Sequence, residues 1–294
     1  MNIEISQLIK QYNKDTIALK GINLSINKGV FGLLGRNGSG KTTLLRIITT
    51  LLEPTEGEVI ILGLESNKQN SIHIRNKIGY LPQEFGFYKE FTIWEILEYI
   101  SIMRRIEPKK QKSIIKDALD QVTLYEKKNV KYKQLSGGMK RRVGLAQAML
   151  GNPPILIVDE PTAGVDPEER IKIRKLISEY GEQNIVLFST HIVEDIEYTC
   201  NQLAVLDNGN LLFNGSLNDL LKMASNNVLQ KAFSTFEEFK QFEESHKIIS
   251  FKREDDITKA VFIGDKDQIP NSHIYPVTLE EAYVYVTTKE GARS

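Results

Sequence analysis

The stretch "VFGLLGRNGSGKTTLLRII", residues 30–48, narrows the possible folds more than any other part of the chain. Val30 to Leu34 run without a polar break, as a strand buried on both faces does. Gly35 ends the run, a loop of small residues follows, and the spacing predicts a helix from Lys41 to Leu52, stopped by Pro54. Strand, tight loop and helix in that order open an α/β fold with a mostly parallel sheet. A chain of 294 residues is long enough for one such domain and a smaller appendage.

The rest of the sequence extends this pattern. "INLSIN" (22–27) alternates with period two, as a half-exposed strand of an N-terminal antiparallel β subdomain would, and "EVIIL" (58–62) reads as another strand. Residues 84–150 read as a helical insertion, in which Thr92 and Glu95 form a capping box ahead of "IWEILEYISIM". "PILIVDE" (154–160) and "IVLFST" (185–190) are buried strands, and "LAVLDNGNLLF" (203–213) is a hairpin across Asn208-Gly209. Residues 1–225 form one domain on this reading. Residues 226–294 form a small α+β appendage with a further capping box in "STFEEFKQFEESHK", a strand pair in "ISFKRE" and "ITKAVFI", and a final helix from Thr278.

Charge and composition exclude some classes. Lys+Arg and Asp+Glu both number 38, which leaves no bulk basic excess for a nucleic-acid backbone, so no nucleic-acid partner is expected. The single cysteine, Cys200, has no internal disulfide partner, and a cytoplasmic setting is expected. The apolar runs fall short of the roughly 20 residues that cross a bilayer.

Gly35, Gly40, Lys41 and Thr42 fill the spacing G-x-x-x-x-G-K-[ST] between a buried strand and a helix start. The glycines let backbone N–H groups curl toward an anion, the helix N-terminus adds partial positive charge, and Lys41 meets the outer phosphates. Thr42 would set its hydroxyl on Mg²⁺. "ILIVDEP" delivers Asp159 to the outer shell of that ion and Glu160 to the water attacking the γ-phosphate, beside the loop if the two strands are neighbours. "LSGGM" (135–139) makes a second helix start: Ser136 as N-cap, then Gly137 and Gly138, with Val143, Ala146 and Met149 or Leu150 along one face of the helix. It is prepared for an anion but lacks a lysine and a metal carboxylate of its own.

"GRNGSGKTT", "LSGGM" and "ILIVDEP", in this order and spacing, resemble the ATP-binding subunit of an ABC transporter over roughly residues 1–220. "LLGRNGSGKTTL", "LSGGMKRRVGLAQAML" and the terminal "TLEEAYVYVT" are closest in pattern to ABC-2-type exporters, including drug and antibiotic efflux systems. The resemblance implies a P-loop NTPase core whose loop (Gly35, Asn37, Gly38, Ser39, Gly40, Lys41, Thr42, Thr43) holds ATP and Mg²⁺. It also implies a second cassette facing head to tail, so that Ser136 and Gly138 complete the partner's γ-phosphate site.

Other positions carry over singly. Tyr12 matches the ring that stacks on adenine, or is a core or edge-strand tyrosine. Gln83 matches the glutamine that senses metal, water and the membrane subunit, or is a loop residue. Asp166 in "AGVDP" matches the loop touching the opposing subunit and also caps a helix with Glu169. His191 matches the histidine on the γ-phosphate, or is structural. "AGVD" departs from the Ser and Leu many relatives have at its first and third positions. The implied partners are a second cassette, as a homodimer, and separate multi-span membrane subunits docking near Gln83 and the aromatic "FGFYKEFTIWEIL"; the implied place is the inner face of the membrane. The competing reading is a soluble ATPase of the same family working on ribosomes or nucleic acid. The appendage is a regulatory or dimer-supporting piece, or a cap over an exposed sheet edge.

Overall fold

The computed structural model describes residues 2–255 and 257–291. β1 (Asn2–Asn13) and β2 (Thr16–Asn27) pair antiparallel. Leu19, Ile22, Leu24 and Ile26 face inward and the polar residues between them outward, the alternation a one-sided sheet requires. β3 (Gly29–Leu34) is buried almost throughout and runs into α1 (Lys41–Ile48). This helix ends four residues earlier than its apolar pattern predicts. Thr50 takes a φ of 57°, and Leu51 N folds back to Arg46 O at 2.8 Å, a helix-closing turn that propensity alone does not show.

β4 (Glu56–Ile61) and β5 (Leu64–Glu65) complete an antiparallel sheet of order β2-β1-β4-β5. After α2 (Ser71–Arg75) and β6 (Ile78–Leu81) comes the helical insertion: α3 (Ile93–Met103), α4 (Pro108–Gln121) and α5 (Gly137–Met149). The Thr92–Glu95 capping box forms, with Glu95 N donating to Thr92 Oγ1 at 3.2 Å and Thr92 N to Glu95 Oε2 at 2.7 Å. α5 is not the one-faced helix its sequence suggests. It packs against β6, α3, α4 and α6 (Pro167–Gly181), so Gly138, Arg142, Gly144, Leu145 and Ala148 are buried along with Val143.

β7 (Ile155–Asp159), β8 (Ile185–Thr190), α7 (Val193–Thr199), β9 (Gln202–Asp207) and β10 (Asn210–Ser216) finish a six-stranded sheet of order β10-β9-β3-β8-β7-β6. The contacts β9–β3–β8–β7–β6 are all parallel. Asn208 and Gly209 turn the hairpin with φ of 46° and 79°, the two left-handed residues a tight two-residue connection demands. One core of Ile, Leu, Val and Phe residues joins both sheets.

The chain divides into two compact units, residues 1–211 and 212–294. In the second, α8 (Leu217–Ala224) packs on α10 (Leu279–Gly291), and β11 (Val228–Phe233), α9 (Phe236–Glu243), β12 (Lys247–Glu254), β13 (Ile257–Ile263) and β14 (His273–Ile274) form an antiparallel sheet of order β12-β13-β11-β14 with α9 on it. Phe233, Phe239, Phe242 and Phe262 fill the space between helix and sheet. Thr235 caps α9 through Glu238 N, but Glu238 accepts from Ser234 N at 3.1 Å, one residue before the cap, so the expected capping box is offset.

Candidate functional site

The loop 35–40 hangs between β3 and α1. Gly38 and Gly40 take φ of 83° and 108°, and a Cβ on Gly40 would stand 2.6 Å from Ala18 O. The hairpin tip braces the loop: Gly209 N donates to Ser39 O at 3.1 Å, and Lys20 N donates to Gly209 O at 2.9 Å. Arg36, Asn37 and Gly38 are exposed at the loop's tip, while Ser39 is buried with its hydroxyl lacking a hydrogen-bond partner. A buried hydroxyl without a partner in a curl of N–H groups fits a bound phosphate.

Lys41 is buried, with Nζ donating to Gly35 O at 2.6 Å and Arg36 O at 3.1 Å and lying 3.7 Å from Glu160 Oε1. Burial pulls its pKa down, and the negative charges of Glu160 and Asp159 oppose that shift. Its ammonium thus has carbonyl partners that phosphate oxygens can replace.

Asp159 stands beside the loop on a neighbouring strand only if β3 and β7 are adjacent, and they are not, because β8 lies between them. Leu34 pairs with Thr190 and Asp159 with Ser189, so the three strand ends stay level. Thr42 at the start of α1 reaches across, and its Oγ1 donates to Asp159 Oδ2 at 3.0 Å. Ser189 Oγ donates to the other carboxylate oxygen. Ser189 was missed from sequence. Its signal, a hydroxyl at a strand end in register with Asp159, exists only once the strand order is known.

Glu160 has a φ of 49°, a left-handed backbone that costs a non-glycine residue on the order of 1–3 kcal/mol. Its N–H donates to Ser189 O at 3.0 Å and Ser189 Oγ at 3.2 Å. Its carboxylate accepts from Gln83 Nε2 at 3.4 Å and lies 3.1 Å from His191 Nδ1. Gln83, Glu160, His191 and Lys41 therefore meet around one carboxylate. Thr42 and Asp159 bring hard oxygen donors together, Gln83 lies against the adjoining Glu160, and no group of three or more His, Cys, Asp or Glu side chains among the described residues could hold a metal alone. That donor set fits Mg²⁺, which keeps waters and substrate oxygens and takes few protein carboxylates.

Tyr12 is not a core residue: it lies near the end of β1, beyond the last β4 pair at Ile9 and Glu56, is 52% exposed, and its hydroxyl is 3.4 Å from Thr43 Oγ1. Ser136 caps α5, accepting from Met139 N at 3.2 Å, and Ser136 and Gly137 are exposed. Asp166 caps α6 through Glu169 N at 3.0 Å. The expected capping box is only half made, because the Glu169 carboxylate is taken by Arg142 at 2.9 Å. Arg142 also donates to Val122 O and Thr123 Oγ1, and Arg141 donates to Gln83 O at 2.8 Å, tying that glutamine to α5. Among the described residues, no hydrogen bond or ion pair joins Ser136, Gly138 or Asp166 to residues 35–43.

A braced anion loop, a strand-end Asp-Glu pair and a helical insertion on a parallel sheet define a P-loop ATPase cassette. Residues 19–163 match the family described as ABC transporter. The uncharacterized ABC transporter ATP-binding protein sll0415 of Synechocystis is 36% identical over 74% of this chain, which spans 63% of that relative's length. The linearmycin resistance ATP-binding protein LnrL of Bacillus subtilis is 32% identical over 80% of this chain and 76% of its own length. The methionine import ATP-binding protein MetN 1 of Oenococcus oeni is 34% identical over 79% of this chain and 68% of its own. A dimeric post-hydrolysis structure of the ATP-binding cassette MJ0796, bound to ADP and Pi, superposes with a TM-score of 0.66 at 29% identity over 73% of this chain and 98% of that one. The chain belongs to the ABC transporter ATP-binding proteins, the ABC ATPase family.

Proposed function

We propose that this chain hydrolyses ATP as one of two paired cassettes and so powers export through separate multi-span membrane subunits, resting on the inner face of the membrane. The observation that carries the reading is the exposed start of α5, Ser136 and Gly137: a helix end suited to an anion, with no hydrogen bond or ion pair to the lysine loop of its own chain. A second copy placed head to tail would bring that end to the γ-phosphate held by the first.

Each residue then has a task. Tyr12 offers an exposed ring to the adenine, while Gly35 to Thr43 hold the phosphates and Lys41 exchanges its carbonyl partners for them. Thr42, Asp159 and Gln83 would hold Mg²⁺, which offsets phosphate charge when bound. Glu160 orients and deprotonates the attacking water, and His191, 3.1 Å from its carboxylate, meets the γ-phosphate. Ser136, Gly138 and Asp166 serve the opposing copy. Losing the γ-phosphate removes what the two copies share, and they part.

A groove of about 520 Å³ supports the membrane partner. Phe87, Tyr88, Phe91, Ile96 and Tyr99 line it, with Tyr88 and Tyr99 largely exposed. Aromatic concavities of this kind suit an inserted segment of another protein. Export is supported by the terminal sequence pattern and by LnrL's resistance role, although an import protein matches over a similar span. No described helix is long and apolar enough to cross a membrane.

The test is Glu160→Gln, mixed with ATP and followed by light scattering from the 33.4 kDa single-chain mass. The expected result is an ATP-dependent doubling of mass and turnover lowered on the order of 10²–10⁴-fold. A variant that stays single with ATP, or turns over at the wild-type rate, overturns the reading. Mild detergent extraction addresses the partner: a multi-span protein should co-purify, and recovery of ribosomes instead would favour the soluble alternative.

A further inference from the structure

Beyond the groups that touch ATP, one fully buried carboxylate fastens the loops on either side of the Glu160–His191 pair. Asp195 on α7 is 0% exposed. Its Oδ1 takes the Arg174 guanidinium, Nε at 2.7 Å and Nη2 at 2.6 Å. Its Oδ2 takes two hydroxyls: Thr162 Oγ1, and Thr190 Oγ1 at 3.3 Å. Thr162 stands two residues after Glu160, and Thr190 immediately before His191.

The rest of the geometry gives those hydroxyls leverage. Thr190 Oγ1 also accepts from Ile192 N at 3.0 Å, so the backbone on both sides of His191 is tied to one oxygen. Glu160 sits in its left-handed conformation at the start of a turn closed by Ala163 N donating to Glu160 O at 3.3 Å, and Thr162 lies inside that turn. A strained backbone keeps its aim only while its surroundings hold it. A displacement of about 1 Å at a reacting group can lower a rate on the order of 10²-fold.

We infer that Asp195 is a positioning residue: through Thr162 and Thr190 it holds Glu160 and His191 at the mutual distance hydrolysis needs, with Arg174 offsetting its buried charge. This rests on the ATPase reading above. It predicts that the contacts govern turnover and leave ATP binding alone, since neither threonine hydroxyl bonds to residues 35–43, and Thr190 meets that loop through its carbonyl, which accepts from Gly35 N at 3.3 Å and is kept in a valine variant.

The experiment compares steady-state kinetics of wild type, Thr162→Val, Thr190→Val, Thr162→Ser and Asp195→Asn. Valine keeps the shape of threonine and removes the proton donated to Oδ2. The expected result is kcat lowered tenfold or more in both valine variants, KM for ATP within twofold of wild type, and recovery in Thr162→Ser. Asp195→Asn should match them if it folds. If loss of the buried Asp195 charge, which leaves Arg174 with Glu194 alone at 3.3 Å, prevents that, the threonine variants, which leave both ion pairs intact, carry the test alone. Valine variants with wild-type kcat, or with losses matched by the unfolded fraction in circular dichroism, overturn the inference. Wild type without ATPase activity would instead sink the functional reading.

Discussion

Gly138 has no room for a side chain, because a Cβ there would lie 2.5 Å from Glu169 Cγ and 2.8 Å from its Oε2. Its neighbour Gly137 has nothing within 4 Å of the same construction. The glycine pair thus splits its work: one residue lets α5 settle onto the start of α6, and the other stays open to solvent. Gly138→Ala should lower thermal stability by about 1–3 kcal/mol, the usual effect of overpacking. That corresponds to a few degrees in melting temperature for a chain of this size. Gly137→Ala should leave it unchanged or slightly raised. Equal melting temperatures for the two variants, by scanning calorimetry, would show that the close approach is not tight.

The carboxylate that crowds Gly138 also holds Arg142, whose side chain is only 7% exposed. Truncating one member of a buried pair leaves the other charge unpaired, an effect of about 3–5 kcal/mol when burial is complete. Glu169→Ala should fall near the lower end, since Val122 O and Thr123 Oγ1 still accept from Arg142. Urea midpoints with an unchanged slope measure this. An Arg142→Met, Glu169→Leu double variant should recover part of the loss, and if it is no more stable than Glu169→Ala the pair is not the cause.

These two contacts show where sequence reading stops. Period and punctuation in "VFGLL", "IVLFST" and Asn208-Gly209 carried the strands and the hairpin, because buried strands and left-handed turns restrict residue type locally. The lysine loop and the Asp159-Glu160 pair were legible for the same reason. Ser189, Asp195 and the Arg142–Glu169 pair were not, because each derives its meaning from partners far along the chain: Ser189 faces Asp159 only after β8 enters between β3 and β7. The half-made capping box at Asp166 is a tertiary ion pair overriding a local rule.

Tyr12 makes a prediction about affinity. An exposed ring stacked on a base contributes about 0.5–1.5 kcal/mol beyond its area. Tyr12→Ala should therefore weaken ATP and ADP binding alike by roughly 3–10-fold, with kcat little altered, and Tyr12→Trp should restore binding. Titration calorimetry with both nucleotides checks this, and an unaffected alanine variant would place the adenine elsewhere.

The alkaline limb of stability has a named contributor. Burial, with a smaller contribution from the Asp159 charge, pushes the Tyr80 phenol up to about 12. A raised folded-state pKa means that the folded protein binds more protons than the unfolded chain between about 10 and 12. The stabilisation is complete below the unfolded value of 10.0 and is lost as pH rises through that window. Tyr80→Phe should flatten part of the fall, read as melting temperature at pH 9 and pH 11. Parallel wild-type and variant curves would remove Tyr80 from the account.

Ser189 has one proton and spends it on Asp159, while its lone pair receives the Glu160 N–H. The side of the site suited to a cation and the side suited to a water nucleophile are therefore a single mechanical part. Neither can be retuned alone, because any replacement must still offer a strong proton donor and an acceptor on the same atom next to that Cβ, which a serine or threonine hydroxyl does.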